Sequence, residues 1–287
     1  MTLFVTALAL LTAGGLACLA LGRRPAAAWF GLISCLAACG AAAIASVDVM
    51  LSGQISDLLL SWPVPFGSLH LGLDGLSSFF ALVTAVVCAL AAIYGSAYMA
   101  PLKQSKNLGA TWFFFNLLVA SMLTVVAARD AVLFLLAWEI MTLASFFLVM
   151  FEGERAETIS AGWTYLVATH LGTAFLLALF VLLSGGEATM DFSRLHTGSP
   201  ALADACFLLA LVGFGTKAGF VPLHVWLPQA HPAAPSQVSA VMSGVMIKTG
   251  IYGLLRILTF LGAPPLWWGW TLVGIGAVSG IFGVLLA

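Results

Sequence analysis

Apolar residues run along this chain in long blocks, and polar residues collect in the short gaps between them. Crossing a bilayer core of about 30 Å takes a helix of about 20 mostly apolar residues. Nine blocks meet that length: 2–21, 26–47, 74–98, 109–128, 131–150, 160–183, 202–230, 237–259 and 266–287. The pattern predicts an all-α polytopic membrane protein of about nine transmembrane helices. The longest gap, 48–73, holds Gly, Ser and the step Trp62-Pro63-Val64-Pro65, and a hairpin outside the lipid is one way to fold it. The first block has no basic residue before it, and Arg23 and Arg24 follow it, so it reads as a first membrane helix instead of a signal peptide.

The seventh block is too long for one span and passes Gly213, Gly215, Gly219, Pro222 and Pro228. Proline removes a donor and clashes with the preceding turn. Membrane helices tolerate such breaks where they are buried in protein or line a wet cavity. Span 7 is therefore expected to be broken. A straight helix ending at 221 would let Lys217 snorkel to one face, whereas a broken one holds it near mid-depth.

Basic residues orient the chain. Odd-numbered connections carry Arg23, Arg24, Lys103, Lys106 and Arg155, and the even side carries Arg129, Arg194 and Arg256. That balance puts the odd connections in the cytoplasm and the N-terminus outside, in an inner-membrane protein. Only 7% of residues are charged, against about 25% in soluble domains, so little mass lies outside the bilayer. A net charge of −1 gives no bulk attraction to nucleic acid. The cysteines Cys18, Cys35, Cys39, Cys88 and Cys206 all lie in apolar runs without metal-ligand spacing, and read as small buried hydrophobes. No cofactor or metal is expected on this chain.

Against that background three charges stand out: Glu139, Lys217 and Lys248. A charged side chain at the bilayer centre costs roughly 2.5–3.5 kcal/mol on insertion scales. Glu139 lies about 12 Å into the fifth span and Lys248 about 17 Å into the eighth, at about 1.5 Å per residue. One reading makes them proton carriers; the other makes them a protonated Glu bonded within the bundle and static ion-paired lysines. Lysine suits a relay because it can lose its proton when buried, whereas arginine stays charged. His170, midway along the sixth span, is either a relay member or a satisfied core group. His224 and His231 flank the break after Lys217, as a cytoplasmic entry or as helix-end caps. Asp74 is placed to cap the third span, and Arg129-Asp130 reads as a solvated turn. Trp62, Trp112, Trp226, Trp267, Trp268 and Trp270 fit interfacial belts, and the Ser and Thr residues read as helix-packing groups.

The stretch Gly215-Thr216-Lys217-Ala218-Gly219-Phe220-Val221, running into PLHVWLPQAHPAAPSQVSAVMSGVMIKTGIYGLLRI (222–257), resembles the signature of antiporter-like membrane subunits. These occur in respiratory complex I, Mrp-type Na+/H+ antiporters and membrane-bound hydrogenases. DGLSSFF (74–80) and WEIMTLASFFLV (138–149) are similar too, while ATHLGTAFLL (168–177) leans toward the hydrogenase-4 component B or formate hydrogenlyase branch. The resemblance implies a Glu139–Lys217 switching pair with Lys248 as the next carrier. His170 matches by neighbourhood only. It also implies a division into 1–108, an antiporter-like repeat at 109–260, and 261–287 as the start of a second repeat that breaks off at Ala287.

Three functions follow from these expectations. The first is a proton-translocating, non-redox membrane subunit of an oxidoreductase complex of hydrogenase or NADH dehydrogenase type. Its partners would be other membrane subunits, a peripheral redox arm and the lipid bilayer, with redox centres on other chains. The second is an Mrp-type cation/proton antiporter subunit. The third is a truncated structural subunit that conducts nothing.

Overall fold

The computed structural model describes residues 1–62, 64, 66–187 and 189–286. Pro63, Pro65 and Ala287, singled out above, lie outside the described residues. Among the described residues, nine helices are long and apolar enough to cross a membrane. In order they begin with α1 (Thr2–Leu21) and α2 (Ala26–Ser52), followed by strands β1 (Ser56–Leu60) and β2 (Leu69–Leu73). Then come α3 (Gly75–Tyr98), α4 (Leu108–Ala127), α5 (Ala131–Val149), α6 (Ala156–Ser184) and α7 (Pro200–Ala218). The remainder is a short α8 (Leu227–Ala233), α9 (Ser236–Val241), a π-helical turn (Met242–Met246), α10 (Ile247–Leu258) and α11 (Leu266–Leu286). α9, the π turn and α10 make the eighth span together.

Local chemistry sets the boundaries. Asp74 accepts from the Ser77 amide, Asn107 from Ala110, Asp130 from Val132 and Leu133, and Ser199 from Leu202. Each supplies an acceptor to amides that a helix N-terminus leaves unpaired. At the other ends, α2 and α6 stop at Gly53 and Gly185 in the left-handed region.

Helices α1, α2 and α4 pack together, α3 joins α2 and α4, and α4 leads to α5. Helices α6, α7 and α10 continue the bundle, with α11 at its edge. The second half packs through small residues. A Cβ on Gly213 would lie 2.5 Å from Leu176 of α6, and one on Gly253 would lie 2.2 Å from Phe214 of α7. Close backbone approach of this kind substitutes for the hydrophobic drive that helices lack in lipid.

The 48–73 gap is a hairpin. β1 and β2 pair antiparallel with Leu58 opposite Leu71. Three connections are stitched beneath it: the Arg129 amide donates to the His70 carbonyl (2.8 Å), the Phe192 amide to the Arg129 carbonyl (2.7 Å), and the Met190 amide to the Phe66 carbonyl (3.1 Å). The hairpin and the α4–α5 and α6–α7 links therefore form one face, bearing the even-numbered connections.

The expected solvated turn at Arg129-Asp130 is a structural node instead. Asp130 is fully buried, caps α5, and accepts from the Ser68 amide and hydroxyl. Arg129 bonds Asp74 (3.2 Å) and Ser77 (3.2 Å). The five cysteines are buried and free.

Candidate functional site

α7 unwinds directly after Lys217. Its C-cap, Gly219, has φ +77°, a conformation that glycine adopts without a Cβ penalty. The freed backbone groups find new partners. The Gly219 amide donates to the Gly215 carbonyl, the Trp226 indole to the Thr216 carbonyl (2.8 Å), and the Val221 amide to the Ser279 hydroxyl of α11 (3.1 Å). The chain re-enters helix at α8, so the expected break is present, and the unbroken run to 230 is not.

Lys217 is only 1% exposed. Its Nζ donates to Thr142 Oγ1 of α5 (3.0 Å) and to the Tyr165 hydroxyl of α6 (2.9 Å). The ammonium lies 5.8 Å from the Trp138 ring centroid and 5.2 Å from that of Tyr165. Thr142 and Tyr165 are well inside their helices, so Lys217 reaches into the span although its Cα is at the end of α7. Side chains tilt toward a helix's N-terminus, which carries the ammonium inward. Behind Tyr165, Ser145 Oγ stands 2.5 Å away and also reaches the Met141 carbonyl (2.7 Å). Hydroxyls accept from an ammonium, and that of Tyr165 can equally donate to a neutral amine. The pocket thus has bonding options for both protonation states of Lys217.

Glu139 does not pair with Lys217: among the described residues no carboxylate lies within 4.0 Å of that ammonium. Its Oε2 meets His170 Nε2 at 3.1 Å, while Oε1 is buried without a partner. His170 Nδ1 is 2.9 Å from the Leu166 carbonyl and must donate to it. Nε2 then carries either a lone pair facing a protonated Glu139 or a proton facing a carboxylate. In both forms the pair holds one proton between its members. Glu139 precedes Thr142 by three residues, so the two acceptors, one for His170 and one for Lys217, sit on adjoining turns of α5.

Lys248 is exposed on the side of the described bundle, and its Nζ donates to the Ser243 carbonyl in the π turn. His231 of α8 joins the same group. Its Nδ1 is 3.0 Å from Ser239 Oγ and 3.4 Å from Ser243 Oγ. Ser243 thereby gathers His231 and Lys248. Among the described residues, no hydrogen bond joins these groups to Lys217. The link is packing: the Trp226 ring lies 4.9 Å from Tyr165 and 6.4 Å from His231. His224, inside the break, has a buried Nδ1 with no partner among the described residues.

Several expectations need correcting. Trp226 is fully buried against the lysine pocket, and Trp112 and Trp268 are buried too, so these three are not belt residues. Thr142 and Ser145 are ligands of the pocket and not generic packing groups. Their signal was present: Trp138, Thr142 and Ser145 recur at i, i+4 and i+7, which puts two hydroxyls and an indole on one face of an apolar helix.

The transmembrane family described as "NADH:quinone oxidoreductase/Mrp antiporter, TM" matches residues 128–287, over half of the sequence. The chain belongs to this family. Its match covers the pocket and both histidines of the break. Among curated relatives, hydrogenase-4 component B of Escherichia coli (strain K12) is 42% identical over 230 residues, 78% of this chain and 34% of that protein. A Na(+)/H(+) antiporter subunit A1 of Staphylococcus haemolyticus is 32% identical over 235 residues, 79% of this chain and 29% of the relative. The Mrp complex from Dietzia sp. aligns with TM-score 0.79 at 27% identity, over 93% of this chain and 29% of the matched one. The membrane-bound sulfane sulfur reductase, an archaeal respiratory membrane complex, aligns with TM-score 0.73 at 27% identity, over 90% and 40%. This family member spans about one third of the length of such relatives.

Proposed function

We propose that this family member is a proton-translocating membrane subunit of a redox-driven complex, of the hydrogenase-4, formate-hydrogenlyase or complex I-like kind. The observation that carries the reading is Lys217: a buried lysine at a helix break whose hydrogen-bond partners are hydroxyls, with no carboxylate within 4.0 Å among the described residues. A charge held this way is not locked by a counter-ion. Residues 109–260 act as the antiporter-like repeat.

The working cycle uses Glu139 and Lys217 alternately. When the Glu139 carboxylate is released from His170, its field favours the Lys217 ammonium and draws a proton to it. When His170 recaptures Glu139, that support is withdrawn and Lys217 gives up its proton. Thr142 and Tyr165 accommodate both states by reorienting hydroxyls. Protons arrive through His224 and His231 on the side of the odd connections, the cytoplasmic side by the basic-residue balance. They leave toward Lys248, and the exposure of Lys248 on the bundle's side supports a next acceptor on another segment or chain. Electron transfer is supplied by partner chains of a peripheral arm.

The test is Lys217→Ala in the full complex, with proton movement measured alongside electron transfer. Electron transfer without coupled proton movement is the expected result, and undiminished pumping overturns the reading. The 32% identical antiporter subunit and the Mrp complex alignment favour a second reading, a cation/proton antiporter subunit using the same residues. Na+-dependent proton flux in the absence of any electron donor selects it.

A further inference from the structure

A second titratable cluster lies on the even face, outside the spans and apart from Lys217. His70 of β2 stands between two carboxylates. Its Nδ1 is 2.5 Å from Asp191 Oδ2, and its Nε2 is 2.8 Å from Asp57 Oδ2 and 2.9 Å from Oδ1. Ionised carboxylates only accept, so both ring nitrogens must donate, and only the imidazolium does that. The side chains of His70 and Asp191 are 15% and 16% exposed, that of Asp57 is 50% exposed.

The surroundings hold the proton in place. Burial opposes the charge on His70, but the bonds to Asp57 and Asp191 outweigh it and raise its pKa above the ordinary value. Asp191 is shifted down, where burial is outweighed by Ser193 and His70. Every neighbouring element contributes a charge. Asp57 comes from β1, Asp191 from the α6–α7 link and Arg129 from the α4–α5 link, with Arg129 Nε and Asp57 Oδ1 crowding over Gly72. Next in line, Asp74 is bound by Arg129 and Arg256, and Asp130 is occupied by Ser68 and the start of α5. Arg194 and Glu187 pair loosely at 3.9 Å on the outer link. Asp57, Asp74, Asp130 and Asp191 thus outnumber Arg129 and Arg256, and the excess of negative charge favours a protonated His70.

We infer that Asp57, His70 and Asp191 form a proton-binding clasp that fastens β1 to β2, itself held to the α6–α7 link, for as long as the clasp keeps its proton. Losing the proton breaks the clasp at a defined end. A neutral imidazole keeps one donor, so one carboxylate must face a lone pair. Asp191 has other partners, the Ser193 amide (2.9 Å) and hydroxyl (2.6 Å), and its backbone is bridged to Asp130. Asp57 has half-exposed oxygens free to take water, so Asp57 lets go. β2 stays pinned by the His70 carbonyl and the Leu71–Ala128 bridge, and β1 loosens.

Because the folded pKa is raised, the clasp is complete below the ordinary histidine value of about 6.5 and fails as pH climbs through the higher folded value. The experiment is hydrogen exchange of the full complex in membrane discs between about pH 6 and pH 9, corrected for intrinsic chemical exchange. Wild type should lose protection about tenfold or more in peptides covering Ser56–Leu60, with 190–192 unchanged. His70→Gln should flatten that pH dependence, and Asp57→Asn should move its midpoint to lower pH. A wild-type β1 whose corrected protection does not vary with pH overturns the proposal. So does a pH dependence that survives unaltered in either variant. None of these readouts depends on proton pumping or on Lys217.

Discussion

Lys217 and Arg256 are both buried cations in the same half of the bundle, yet they are held in opposite ways. Arg256 meets Asp74 through two parallel bonds of 2.7 and 2.8 Å, and donates further to Tyr252 (3.2 Å) and Ser77 (3.0 Å). Tyr252 in turn donates to the Val126 carbonyl at 2.7 Å. Guanidinium does not deprotonate in proteins, and its planar fork fits a carboxylate. This cluster ties α3, α4 and α10 together permanently. Lys217 has no such counter-ion among the described residues; its two hydroxyl partners tolerate a change of charge. The difference teaches how one chain can hold one basic group by a carboxylate and another by hydroxyls alone.

The comparison can be broken at its strongest point first. Asp74→Asn leaves Arg256 and Arg129 sharing a neutral amide. Breaking one side of a buried pair costs about 3–5 kcal/mol, so the thermal midpoint of the purified protein should fall sharply, and an unchanged midpoint would show the cluster to be dispensable. Tyr165→Phe deprives the Lys217 ammonium of one acceptor and Ser145 of one of its partners. A loss of about 1–3 kcal/mol is expected from a buried group left unsatisfied, readable in denaturant or thermal unfolding. Lys217→Met should change stability least, by less than about 1 kcal/mol, because the cost of burying the ammonium disappears with its bonds. Thr142 and Tyr165 keep the Trp138 carbonyl and Ser145 as partners. A fall as large as that of Asp74→Asn would mean that Lys217 is structural after all.

Much of the fold was legible because lipid permits few solutions. Block length gave most spans to within a few residues, although α2 runs on to Ser52 and α7 stops at Ala218, where the Gly and Pro positions had marked the break in span 7. The hairpin's register was not legible, since it rests on long-range ties such as Arg129 to His70. In the site, Glu139, Lys217 and His170 were visible because charge in an apolar run is costly. Their partners were hidden, because Thr and Ser hydroxyls are common in membrane helices and cost little. Lys248 shows a further limit. Its place within the eighth span followed from counting, but its face did not, since the π turn at Met242–Met246 inserts an extra residue and rotates the helix before it. Trp226 sits near a block end, where an indole resembles a belt residue, and only packing reveals it as the wall of the lysine pocket.

That wall has a consequence for insulation. A membrane under voltage forfeits about 2.3 kcal/mol per 100 mV for each elementary charge that leaks across. A broken helix is an obvious weak point, because bare backbone groups invite water. Here Trp226 and Ser279 occupy the open carbonyl of Thr216 and the open amide of Val221. Two backbone groups that the break beside Lys217 would otherwise leave open to water are therefore taken up by protein side chains.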